Sequence, residues 1–123
     1  MNTINLMGRL VRDPEIRYTK GDDPAAVARF SLAVRRNQDV TDFIDCVAWA
    51  GTAEMIEKYF SKGMMMAVTG SLQIENWETE KGEKRRNAYV NVRSAYFCES
   101  RKQEEEPEPD PEQKPARKGY SRR

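Results

Sequence analysis

The order of hydrophobic patterns in this 123-residue chain predicts an all-β fold, a small five-stranded barrel with one helix between the third and fourth strands. Two observations carry that reading. Long stretches alternate apolar and polar residues, as a half-buried strand requires, and only one stretch has helical spacing. With 38% hydrophobic residues the core can only be modest, so closure into a barrel or oligomerisation would help stability.

Taken in order, residues 4–11 (Ile-Asn-Leu-Met-Gly-Arg-Leu-Val) alternate as a first strand, and Gly8 suggests a bulge or bend of the kind used at barrel corners. Asp13-Pro14 marks a turn, and Ile16-Arg17-Tyr18 resumes extended structure before a Gly-Asp-Asp-Pro turn at 21–24. Residues 27–35 form a second strand with Ala28, Phe30, Leu32 and Val34 on one face. Residues 36–39 read as a hairpin connection and 41–49 as the third strand. The helix spans 52–60, with Thr52 as its expected cap, Glu54 in the first turn and Ala53, Ile56 and Phe60 inward. Lys62-Gly63 is its expected stop. Residues 64–77 form the fourth strand, with Val68, Gly70, Leu72 and Ile74 as the core register. A turn around Gly82 leads into the fifth strand, 85–98, with Ala88, Val90 and Val92 inward. Three strands, a helix and two strands fit the OB architecture, expected here as an antiparallel barrel. The expected domain is residues 1–100. Residues 101–123 are acidic and proline-rich, then basic, too polar to bury a core, and are expected to form a disordered tail.

Composition narrows the function. No apolar run approaches the roughly 18 to 20 residues of a membrane span, and the first residues lack a secretory pattern, so the expected location is the cytoplasm. Cys46 and Cys98 both read as strand positions and are expected to be free, buried thiols. With no histidine and two cysteines, neither a standard structural zinc site nor a histidine acid–base pair can form. No catalytic constellation and no cofactor loop is present, so the expectation is a non-enzymatic protein without metal or cofactor. Residues 1–100 hold 14 basic and 14 acidic side chains. A neutral domain does not resemble a duplex-DNA binder, so any nucleic-acid site must be a local basic patch aided by stacking.

Candidate stacking residues follow from strand parity. In the third strand Ile44, Cys46 and Ala48 share one face, which leaves Phe43, Asp45, Val47 and Trp49 on the other. In the fourth, Trp77 falls on the polar register with Ser71, Gln73 and Glu75. Rings on the wet face of a sheet beside cations make a stacking surface for unpaired bases. The alternative is that these rings fill a subunit interface or a sheet covered on both sides. The hairpin after Trp77 carries Lys81, Lys84, Arg85 and Arg86, and that before the third strand carries Arg35 and Arg36. Most such charge runs are simply solvated; beside Trp77 the first of them suits an arm along a strand. Tyr18, flanked by Arg17 and Lys20, is a further candidate ring, whereas Tyr59, Tyr89 and Tyr96 read as barrel-edge or interface residues.

Residues 5–10 and 13–18, the Phe-Ser-Leu-Ala-Val run at 30–34, Asp42-Phe43 through Trp49, Ala53-Glu54 with Tyr59 and Lys62-Gly63, and Gly70-Ser71-Leu72 leading to Trp77 and Gly82 together resemble bacterial single-stranded DNA-binding proteins. The similarity runs in order over residues 1 to about 99. It implies an OB-fold, a homotetramer, and sequence-independent binding and protection of single-stranded DNA in replication, recombination or repair. By position it implies that Phe43, Trp49 and Trp77 stack on bases and that Lys62 contacts the backbone. The chain departs from the family where a further ring is often found, having Asn37-Gln38 instead. It also ends in Gly-Tyr-Ser-Arg-Arg rather than an acidic tip closed by Pro-Phe. Docking of replication and repair enzymes through that tip is therefore not expected, and a specialised, phage-borne or plasmid-borne copy is. Two other classes fit the residues: an OB-type module that binds protein in replication, and an RNA chaperone.

Overall fold

A computed structural model describes residues 1–98; the expected domain boundary at residue 100 and the tail at 101–123 lie outside the described residues. The elements run β1 (Ile4–Leu10), β2 (Glu15–Tyr18), β3 (Ala26–Arg35), β4 (Thr41–Trp49), α1 (Ala50–Tyr59), β5 (Met65–Glu78) and β6 (Lys84–Phe97). β1 and β2 correspond to the predicted first strand, 4–11, and to the extended segment predicted at 16–18, two arms parted at Asp13-Pro14. One arm pairs with β5 and the other with β3. A short second pairing of β1, Arg9 with Ala33 and Leu10 with Leu32, closes the sheet through β5, β6, β4 and β3 back to β1. The predicted OB barrel is thus present, with its helix between the third and fourth strands.

One seam corrects the antiparallel expectation. β4 and β6 run parallel, with Cys46 beside Val90 and Ala48 beside Val92. The reason is topological: five strands in a closed ring cannot alternate in direction all the way round.

The core is formed by Leu10, Ala28, Phe30, Leu32, Cys46, Ala48, Met66, Val68, Val90 and Val92, with Ala53, Ile56 and Phe60 sealing one end. These are the alternating positions of β3 and β4 and the inward face of α1, as predicted. β5 and β6 differ. Leu72 and Ile74, predicted as core, are 43% and 44% exposed, and Ala88 is exposed too. Both strands outrun the barrel there, and the hairpin continues as a two-stranded arm with no inner face, so alternation no longer means burial. A bulge between Thr69 and Gly70 also shifts the register, so that Gly70 meets Val92 while Thr69 meets Ser94. It turns Ala95 toward the core, against which it packs. Glycine is required at the shift, because a Cβ on Gly70 would run into the Asn91 carbonyl oxygen. Gly8 serves the same purpose where β1 crosses β3, since a Cβ there would lie 2.5 Å from the Ala33 carbonyl oxygen.

The helix start is also corrected. α1 begins at Ala50, with Trp49 in the cap position and no side-chain cap bond, and no acidic residue lies in the first turn. Thr52 instead donates its hydroxyl to the Arg93 carbonyl at 3.4 Å. The strand enters the helix through a left-handed Ala50 (φ 52°), which leaves the predicted cap inside the helix. At the other end the Phe60 amide closes on the Ile56 carbonyl, and Gly63 adopts the expected positive φ, 88°.

Candidate nucleic-acid interface

Odd-numbered residues of β3, β4, the upper part of β5 and the facing part of β6 share the outer surface of the barrel and arm. Registers place Ser31 beside Asp45 and Ala33 beside Phe43, Val47 beside Asn91, and Gln73, Glu75 and Trp77 beside Tyr89, Asn87 and Arg85. On this surface Phe43, Trp49 and Trp77 are 68%, 47% and 49% exposed. The parity reading therefore holds for all three rings. Val47 shares that face and lines its groove, but it is buried at the parallel seam between β4 and β6.

Between Trp49 and Tyr89 lies a groove of about 290 Å³, lined also by Arg12, Arg29, Asp45 and Glu75 among others. Ser31 donates its hydroxyl to Oδ1 of Asp45 at 2.9 Å. Tyr89, expected at a barrel edge or interface, lines this groove instead, together with Arg12 and Arg29, which are not among the expected site residues. The outward parity of Arg29 and Tyr89 was visible in the chain. The adjacency of β4 and β6, which carries Tyr89 to Asp45, was not, because parallel pairing leaves no hairpin signal.

The predicted cations do not all stand alike. Arg35, Lys62, Lys84 and Arg86 are exposed, and Arg85 lies across from Trp77. Arg85 is, however, bonded to Glu83. Arg36 grips Asp42 with two bonds, 3.1 and 2.7 Å, and the pair holds the Asp42 carboxyl below its ordinary range and the guanidinium above its own. Arg17, next to the exposed Tyr18, pairs in the same way with Glu15 at 2.6 Å. Such exposed pairs contribute little to stability, but each must loosen before its arginine can meet a phosphate. Lys62 donates its backbone amide to Asp13 at 2.8 Å, which fixes the turn and leaves the side chain outside.

A second group of rings belongs to packing. Phe97 stacks on the buried Phe60 with centroids 4.7 Å apart, and Tyr59 meets Phe97 edge-on. Both cysteines are free. Burial pushes the Cys46 thiol up to about 12, whereas Cys98 is exposed, correcting the expectation that both are buried. Its place beyond the last residue of β6 explains the difference. Among the described residues no cluster of His, Cys, Asp or Glu could hold a metal ion, and no helix is long and apolar enough to cross a membrane.

A closed five-stranded barrel with three exposed rings on one outer face and exposed cations on the arm and loops around it defines an OB-type single-strand binder. The chain belongs to the single-strand binding protein family, which matches residues 1–98. It is 42% identical over 102 residues to the single-stranded DNA-binding protein of Clostridium perfringens, covering 81% of this chain and 67% of that one. It is 38% identical over 126 residues to that of Bacillus cereus, covering 98% and 73%. To single-stranded DNA-binding protein A of Bacillus subtilis it is 41% identical over 105 residues, covering 80% of this chain and 60% of the relative.

Proposed function

We propose that this chain binds and protects single-stranded DNA in replication, recombination or repair, without enzymatic activity. The observation that carries the proposal is the set of exposed rings, Phe43, Trp49 and Trp77, on one outer face. Bases stack on these rings, while Arg35, Lys62, Lys84 and Arg86 contact the backbone. Arg36 and Arg85 join them where the strand opens their ion pairs with Asp42 and Glu83, and Tyr18 joins as a further exposed ring. Each stacked base is worth about 1 to 3 kcal/mol, enough to bind tightly when repeated around an oligomer of nearly neutral domains. The test is a titration of the full chain with oligo-dT at several salt concentrations, following Trp49 and Trp77 fluorescence. Strong quenching that weakens with salt is expected; a folded protein that shows neither quenching nor binding would overturn the reading.

The same reading includes a homotetramer in the cytoplasm. Two free cysteines suit a reducing compartment, and the family resemblance supports four copies.

A further inference from the structure

We propose that the groove between Trp49 and Tyr89 reads the amino edge of a base through Asp45, and so favours cytosine over thymine at that position. The inference rests on the single-stranded DNA reading above and adds a specificity-determining residue to it.

The argument starts from charge. A groove lying along a path for phosphates would be expected to carry cations alone, yet Asp13, Glu15, Asp45 and Glu75 line this one beside Arg12 and Arg29. Asp13 is bonded to the Lys62 amide and Glu15 to Arg17, which leaves Asp45 and Glu75 to meet a base. A phosphate is repelled by the carboxylates, so the backbone must keep to the arginines and a base must turn its edge toward Asp45. What that edge meets follows from one hydrogen bond. The Ser31 hydroxyl donates to Oδ1 of Asp45, which leaves Oδ2 of this exposed, groove-lining residue as an acceptor for a base. Cytosine presents an N4 amino group, a donor that carboxylates accept; thymine presents O4, an acceptor, at the same place. Ring stacking on Trp49 does not distinguish the two, because every base has a π-face. The preference therefore arises at Asp45 and is superimposed on otherwise sequence-tolerant binding.

The experiment uses the full chain and fluorescein-labelled dC and dT homopolymers of equal length, followed by anisotropy at pH 8, where cytosine is unprotonated. Asp45→Asn is the informative variant. The Ser31 hydroxyl keeps the amide oxygen, which turns the NH2 group into the groove as a donor that suits thymine O4. Loss of a negative charge strengthens binding to both strands alike, so the quantity to read is the ratio of the two affinities. A shift of about fivefold or more toward dT is expected. Glu78→Gln, on the arm outside the groove, should strengthen both and leave the ratio unchanged. An unchanged ratio in Asp45→Asn with both strands still bound overturns this inference alone. An equal shift in Glu78→Gln does the same, since general electrostatics would then account for it. If the unsubstituted chain binds neither strand, the function proposal fails and this inference with it.

Discussion

Phe43, Trp49 and Trp77 each keep about half or more of their surface in solvent, so truncating them tests binding without dismantling the core. Each of Phe43→Ala, Trp49→Ala and Trp77→Ala is expected to weaken oligo-dT binding by about 1 to 3 kcal/mol, and to change unfolding free energy by no more than about 0.5 kcal/mol. Titration paired with urea denaturation checks both. The rings could be located in the sequence because parity alone decides the face of a strand; the pairing of Arg36 with Asp42 could not, because it depends on rotamers across a turn. The cysteines allow a second test at this scale. At pH 8 a thiol reagent should label Cys98 in the native chain and Cys46 only after unfolding. Because burial raises the Cys46 thiol from 9.0 to about 12, the unfolded state ionises first. Stability should then fall as pH rises from about 9 toward 12, by up to about 1.4 kcal/mol per pH unit from this group. In Cys46→Ala that part of the decline should disappear, as pH-dependent melting would show.

At the level of elements, the β5–β6 hairpin shows where pattern reading stops. Its first half obeys alternation because the barrel lies beneath it; beyond Leu72 every residue of β5 is exposed, and the same alternation continues without a core. The side chain of Asn2 ties the base of the arm, exchanging two 2.9 Å bonds with the backbone of Leu72. The bulge beside Gly70 was equally hidden, since a glycine in a strand does not say which backbone approaches it. Gly70→Ala is expected to destabilise the fold by about 1 to 3 kcal/mol through overpacking against Asn91, measurable as an earlier urea midpoint. Cations at the tip should act on binding instead. Lys84→Ala and Arg86→Ala should each flatten the slope of log affinity against log salt by about 0.7, the counterion release of one single-strand phosphate contact. Arg85→Ala should flatten it less, because Glu83 already partners that guanidinium.

For the whole molecule, the outer surface divides into two faces of different chemistry. The rings and the groove occupy β3, β4, the upper part of β5 and the facing part of β6. On the β1–β5–β6 side, cross-strand registers align Met7, Ala67 and Tyr96 in one row, with Met7 57% and Tyr96 54% exposed. Among the described residues the edge of β1 over residues 4–8 has pairing from β5 alone. An apolar row beside a strand edge with no second neighbour invites a second copy, which satisfies the backbone and buries the methionine at once. Such burial would also supplement the small core of a single barrel. It leaves the ring-bearing face free, so several copies can present their rings to one strand. The patch accounts for one pairing of copies and the family resemblance for four, so sedimentation equilibrium at micromolar protein is expected to give about four times the 14.2 kDa chain mass. Met7→Arg places a charge in the row and should shift the mass toward smaller species, with an unchanged circular dichroism spectrum. A tetramer unaffected by Met7→Arg would move the interface elsewhere, to the exposed Leu72 and Ile74 of the arm. A chain that sediments as a monomer yet binds oligo-dT normally would remove the tetramer and leave each barrel to hold DNA with its own three rings.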